Sequence, residues 1–139
     1  MSTGQATDPD FAPNCFGCST TNPKGLQLTF SHQGEETHSA IHLSAHYESY
    51  AGIVHGGIAS VIMDEVIVQA ALHQTGAYAV TANLKLRYPI PMKVETAYTC
   101  KARIVRRGES SRVKGSAEIV DAAGAVVASA EGTFLLMMT

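Results

Sequence analysis

The chain has no tryptophan, only 6% aromatic residues and a formal net charge of just −2. Without a basic excess, a face for duplex nucleic acid is not expected, because such faces gather Lys and Arg on one side. No apolar run opens the chain: Met1 to Pro13 carries Asp8 and Asp10 and no basic cluster, so no secretory leader is expected. No stretch reads as the roughly 20 apolar residues that a membrane span needs. Neither nucleic acid nor membrane is therefore expected as a partner, and the expected location is cytoplasmic. Cysteine is also scarce. Cys15, Cys18 and Cys100 make an odd set rather than an even disulfide framework, which fits a reducing compartment. What is abundant is aliphatic: 45% of the 139 residues are hydrophobic, enough for one domain with a modest core.

Residues 1–14 are small, polar and Pro-containing and read as a flexible arm, leaving 15–139 as the domain. Leu26 to Phe30 alternates apolar and polar residues, the period of a half-buried strand. A second strand is expected at Thr37 to Leu43, after the Gly34-Glu35-Glu36 turn. From Ile58 to Leu72 the chain is apolar for longer than a strand, with Ser60, Asp64, Glu65 and Gln69 as its few polar members. A helix apolar on nearly all sides has to be enclosed. It should close near His73 to Gly76.

Strict alternation then resumes. Val80, Ala82, Leu84, Leu86 and Tyr88 fall on one face of the next strand, and Thr81, Asn83, Lys85 and Arg87 on the other. Pro89 and Pro91 end it, since proline cannot donate to a ladder. Tyr98 to Ile104 and Val113 to Ile119 alternate likewise, and Val126 to Leu136 follows the Asp121 to Gly124 turn. The terminal Phe134 to Met138 run reads as a sheet edge or a subunit contact. Two strands, one long apolar helix and four strands make an α+β chain. One antiparallel sheet wrapped around a single central helix buries that helix most simply, which is the hotdog architecture.

The segment richest in chemistry is Gly52-Ile53-Val54-His55-Gly56-Gly57, leading into the helix that carries Asp64 and Glu65. Glycines at a helix start bring the backbone close to a ligand and present free N–H groups, which suit a carbonyl that becomes an oxyanion. Gly56 and Gly57 could equally serve only a tight turn. Asp64 follows Gly57 by two helical turns, on the stripe of Ser60. A carboxylate in so apolar a helix is costly unless paired or used, and burial raises its pKa toward that of a working base. Pairing with His or Arg stays open on these grounds. Glu65 points about 100° away, with Ile58, Ile62 and Gln69, and is the second candidate acid. Gly57 and Asp64 lie roughly 10 Å apart along one helix axis. One donor and one acid must both reach a single reacting centre. Two antiparallel helices of a homodimer would achieve this, placing Gly57 of one subunit opposite Asp64 of the other.

Taken together, Tyr50 to Gly57 with Asp64 nine positions after the histidine closely resembles the PaaI-like branch of the hotdog thioesterases. The resemblance extends to Asn14-Cys15-Phe16-Gly17-Cys18, to Asn22-Pro23-Lys24-Gly25-Leu26, and to Thr81-Ala82-Asn83-Leu84 leading into Arg87-Tyr88-Pro89. It implies acyl-CoA hydrolysis without a bound cofactor, by a homodimer or a dimer of dimers. It implies that the Gly57 N–H polarises the thioester carbonyl and that Asp64 activates a water or attacks directly. Thr81 would orient the water, and His55 would organise the site rather than act as base. Gly56, Glu48, Ser49 and Asn83 would line the substrate. Arg87, Arg106, Arg107 and Lys114 are candidates for the CoA phosphates. Glu48 and Ser49 stand where several members carry an Asn or Gln that helps hold the carbonyl. An ionised carboxylate cannot donate, so the carbonyl would rest more heavily on Gly57.

Cys15-x-x-Cys18 could be half a zinc site, but no second such pair exists and His32 is the one nearby candidate, so no metal is expected. Nothing thioredoxin-like surrounds the pair, and Cys100 reads as a small core residue. Two rival functions fit the same fold. A dehydratase would use His and a carboxylate, but the His-Phe-Pro-Gly type of turn is absent. A non-catalytic acyl-CoA-binding module would not need Asp64.

Overall fold

The protein is described from a computed structural model, which covers residues 11–107 and 111–137, with the side chains of Arg106 and Arg107 also outside the description. Six strands and one long helix follow the order β1 (Ser31–Gln33), β2 (Glu36–His42), α1 (Gly56–Thr75), β3 (Tyr78–Arg87), β4 (Ala97–Arg107), β5 (Arg112–Asp121) and β6 (Val126–Met137). The strands form one antiparallel sheet in the order β1-β2-β4-β5-β6-β3, and α1 packs against β2 to β6. This is the expected hotdog arrangement.

Enclosure explains the composition of α1. Ile62, Met63, Val66, Ile67, Ala70 and Ala71 are fully buried against sheet residues such as Cys100, Val113, Ile119 and Phe134. Each large side chain so buried contributes about 1.5–3 kcal/mol. His55 is the N-cap, and Gly76 closes the helix in the left-handed conformation that glycine tolerates, with its N–H on the Leu72 carbonyl. The 20 residues of α1 do meet the length and hydropathy of a membrane span, contrary to the expectation that no stretch would. The sheet covers one face of it, and 44% of that stretch is buried inside the fold.

Two sequence expectations move. The alternation at Leu26 to Phe30 is not a strand, because Gln27 takes a left-handed φ of 53° that breaks the pleat. The N–H groups of Leu26 and Leu28 donate instead to the Phe16 and Gly17 carbonyls, and pairing with the sheet begins only at Ser31. The C-terminal run is no edge either: β6 lies between β5 and β3, with Phe134 fully buried. The edges are β1 and β3. Of the 1–14 segment, residues 1–10 lie outside the description; Phe11 stacks on Tyr78 with ring centroids 4.0 Å apart.

Candidate functional site

The start of α1 is built by the loop before it. The His55 N–H donates to the Tyr47 carbonyl, Val54 N–H to Met92, and Glu48 Oε2 accepts from the Gly52 N–H at 2.7 Å. Glu48 therefore spends one carboxylate oxygen on folding the loop, and the Ser49 hydroxyl donates to the Ile53 carbonyl at 3.4 Å. His46, Tyr47, Glu48, His55, Gly57, Ile58 and Val61 line an open groove of about 380 Å³. His55, Gly57 and Glu48 are thus brought together. Ser49 is not among the lining residues.

The donor that the sequence nominates is engaged. His55 Nδ1 accepts the Gly57 N–H at 2.9 Å, which requires an unprotonated Nδ1. Gly57 leaves little room for more, since a Cβ there would sit 3.1 Å from the same nitrogen. The Tyr88 hydroxyl donates to the Gly56 carbonyl at 2.9 Å and Ser60 to the Gly57 carbonyl at 2.7 Å, fixing the first turn.

Asp64 sits half-buried on the side of α1 that the sheet leaves open, in a stripe with Gly57, Val61 and Val68. The Thr81 hydroxyl donates to its Oδ1. Burial raises the Asp64 pKa above its ordinary value, and the Thr81 hydrogen bond opposes that rise by favouring the charged form. No ion pair holds Asp64 among the described residues, so the alternative of a structural carboxylate paired with Arg or His finds no partner there.

Thr81 reaches Asp64 because β3 does not alternate strictly. The register with β6 runs Ala79↔Leu136, Val80↔Leu135 and Thr81↔Phe134, then resumes at Asn83↔Thr133 and Leu84↔Gly132, leaving Ala82 as the extra residue of a bulge. The bulge changes the phase of the strand. Thr81 shares the helix-facing side with Ala79, Leu84 and Leu86, instead of the outer side with Lys85 and Arg87 that strict alternation assigned it. Gly132 makes the bulge possible: a Cβ there would lie 2.2 Å from the Asn83 carbonyl oxygen. Asn83 Oδ1 completes it by accepting the Thr133 N–H at 3.3 Å. The part of Asn83 is therefore to shape the strand that presents Thr81.

The remaining candidates lie elsewhere. Arg87 belongs to the outer face of the sheet, where it lines a depression of about 430 Å³ with Lys85, Lys101, Arg103, Glu118 and Glu131. Lys114 lines a neighbouring one with Asn83 and Glu131. Arg106 and Arg107 end β4, and their side chains lie outside the described residues.

Glu65 meets Gln69, as its spacing places it, and also the N-terminal loop, which spacing did not give. Gln69 donates to its Oε2 at 2.9 Å, and Oε1 lies 3.4 Å from Cys15 Sγ. Cys15 and Cys18 are disulfide-bonded and line, with Asp64, Glu65 and Thr81, a cavity of about 330 Å³. His32, the zinc candidate, is not part of this group: it stacks on His73 with centroids 3.9 Å apart and bonds Thr37.

Comparison with known proteins agrees with this fold. The model of the thioesterase superfamily matches residues 51–128, which span the helix start, Asp64 and Thr81. A thioesterase superfamily crystal structure superposes with a TM-score of 0.77 at 22% identity, over 86% of this chain and 58% of the other. The chain thus spans little more than half of that protein's length. The E. coli PaaI protein from the phenylacetic acid degradation operon gives a TM-score of 0.74 at 19% identity over 81% of each chain. A Streptococcus mutans protein bound to acetyl CoA gives 0.72 at 19% identity, over 79% of this chain and 88% of that one. No curated protein matches. With more than half of its length matched by the family model, the chain belongs to the thioesterase superfamily.

Proposed function

We propose that the protein hydrolyses acyl-CoA thioesters, with Asp64 as the catalytic carboxylate. The observation that carries this reading is Asp64 itself: a carboxyl with a raised pKa, on the open stripe of an apolar helix, seated by the Thr81 hydroxyl. Asp64 takes a proton from water, which attacks the thioester carbon. The carbonyl oxygen gains charge against the Gly57 N–H, and collapse breaks the C–S bond and releases CoA, which recovers the proton. Direct attack by the carboxylate is the variant of the same reading. An oxyanion donor supplies about 10²–10³ in rate and a positioned base about 10²–10⁴. CoA as the carrier is supported by the acetyl CoA bound to the Streptococcus mutans relative.

The site is completed in a homodimer. Within one chain the Gly57 groove and the Asp64 cavity are separate openings. β3 is a 10-residue edge strand with Val80 46% exposed, and such an edge is a template for pairing with another strand. Pairing of two β3 strands sets the two helices antiparallel and Gly57 of one copy toward Asp64 of the other. The carbonyl then displaces His55 from the Gly57 N–H, and the imidazole serves as the cap that holds this donor until substrate arrives.

The capped Gly57 and the carboxylate at Glu48 favour one second reading, an acyl-CoA-binding module without turnover. A panel of acyl-CoAs assayed for thiol release separates the two. Hydrolysis by the wild type and its loss in Asp64→Asn are expected. Binding without thiol release for any acyl group would replace the enzymatic reading with the binding one.

A further inference from the structure

The Cys15–Cys18 loop and Glu65 have no part in the proposed hydrolysis, yet they are built tightly against each other. Three observations converge on them. The ligand atoms Cys15 Sγ, Cys18 Sγ and one Glu65 carboxylate oxygen all lie within 4.8 Å of one another. The loop lies close on the acid: a Cβ at Gly17 would fall 2.9 Å from Glu65 Cγ and 3.2 Å from its Cβ, so a larger residue would make the loop or the acid shift. The ligand atoms are already oriented from behind. Gln69 holds Oε2 at 2.9 Å, and the Cys18 N–H donates to Cys15 Sγ at 3.1 Å, a contact that favours negative charge on that sulfur.

Electrostatics adds the sign of the missing partner. Glu65 is held beside Asp64, a like charge, and neither ion pair of the described residues includes it. Among the described residues no ion pair balances these two neighbouring carboxyls. The chemistry of the donors narrows it: two sulfurs and one carboxylate suit a borderline-soft divalent ion, and three protein ligands plus water is a known zinc set. Tetrahedral coordination with metal–sulfur and metal–oxygen bonds of about 2.3 and 2.1 Å puts S and O ligands about 3.6 Å apart. Cys15 Sγ and Glu65 Oε1 stand 3.4 Å apart.

We propose that, once the disulfide is reduced, Cys15, Cys18 and Glu65 bind one zinc-class divalent cation, with Gln69 orienting the carboxylate. Reduction by a phosphine gives two thiols, the phosphine taking the oxygen of water and the sulfurs two electrons and two protons. Binding then releases both protons as the thiolates coordinate. The ion would tie the N-terminal loop to the middle of α1, beside the cavity that Cys15, Cys18, Glu65 and Asp64 line. This site is independent of the hydrolytic reading, since its readout is metal content.

The test uses the full chain, with Co²⁺ as probe, before and after reduction by tris(2-carboxyethyl)phosphine. The reduced protein should develop a thiolate-to-cobalt charge-transfer band that saturates at one equivalent and is displaced by Zn²⁺, while the oxidised protein shows none. Cys15→Ser and Cys18→Ser should each abolish the band, and Cys100→Ala should keep it. Glu65→Gln should weaken binding at least about tenfold, and Gln69→Ala about tenfold, the range for loss of a residue that orients a ligand. No band in the reduced wild type would overturn the proposal. So would a band that survives in Cys15→Ser or Cys18→Ser, or undiminished affinity in Glu65→Gln.

Discussion

Asp64 and Glu65 are consecutive residues on one helix, and burial raises both carboxyl pKa values, but their surroundings differ in kind. Asp64 looks out along the stripe that the sheet leaves open and meets a hydroxyl from the edge strand β3. Glu65 is turned about 100° toward the N-terminal loop, where it meets sulfur, the Gln69 amide and a close-fitting glycine. One acid is reachable and has a single neutral partner that favours its charged form. The other is more deeply buried, with the Gln69 amide donating to one oxygen and a disulfide sulfur beside the other. Position in the sequence makes them equivalent; the elements they face make one suited to proton transfer and the other to holding a ligand.

The largest expected effect separates the two directly. Asp64→Asn should lower kcat for thioester hydrolysis by about 10²–10⁴, the worth of a positioned base, with KM little changed. Glu65→Gln, assayed in oxidised, metal-free protein, should cost less than tenfold. Equal losses in both variants would dissolve the distinction, and a larger loss in Glu65→Gln would reverse it.

The next effect tests how Asp64 acquires its partner. Gly132→Ala places a Cβ 2.2 Å from the Asn83 carbonyl, so the backbone has to shift and the bulge cannot persist as built. A stability loss of about 1–3 kcal/mol is expected from the overpacking. Activity should fall further than stability explains, because Thr81 loses its place on the helix side. Thermal unfolding and kcat measured on the same sample check both; full activity at reduced stability would show that the bulge only packs.

These features also mark where the sequence could be read and where it could not. The long helix was legible because its apolar run exceeds strand length, and β3 to β6 because their apolar residues alternate. Asp64 stood out as an acid in an apolar run, and Thr81 only through family resemblance. Its orientation was not legible: Val80 to Tyr88 alternates without a visible break, and the signal for the bulge lies about 50 residues away at Gly132, whose missing Cβ admits the Asn83 carbonyl. The alternation at Leu26 to Phe30 was misleading for a related reason, since periodicity carries no trace of the φ adopted by Gln27. The Glu65–Cys15 contact joins residues 50 apart in sequence, beyond the reach of any local spacing rule.

A smaller effect concerns pH and the Asp64 side alone. Thr81 donates to the ionised carboxylate and so holds its pKa down against burial. Thr81→Val removes that donor, the carboxyl stays protonated to higher pH, and the acid limb of kcat should move upward. The wild-type limb should already lie above the ordinary Asp value. A limb unmoved in Thr81→Val would mean that the hydroxyl does not act on the ionisation of Asp64.

The smallest effect returns to Glu65 and appears in stability rather than rate. Burial raises its folded-state pKa above the ordinary value of 4.5, with the Asp64 charge adding to the rise and the Gln69 hydrogen bond opposing it. The folded chain therefore keeps this proton at pH values where the unfolded chain has lost it. The resulting stability is fully present below the unfolded value and is lost as pH rises through the folded one. Glu65→Gln carries no such proton, so its urea midpoint in oxidised, metal-free protein should fall less steeply over that window than the wild type's. Asp64→Asn should flatten the curve less, because its carboxyl is the less enclosed of the two. In reduced, metal-loaded wild type the bound cation keeps the Glu65 carboxylate ionised in the folded state, so Glu65 should stop contributing to the fall of stability with pH, and coordination by the two thiolates should instead make stability rise with pH.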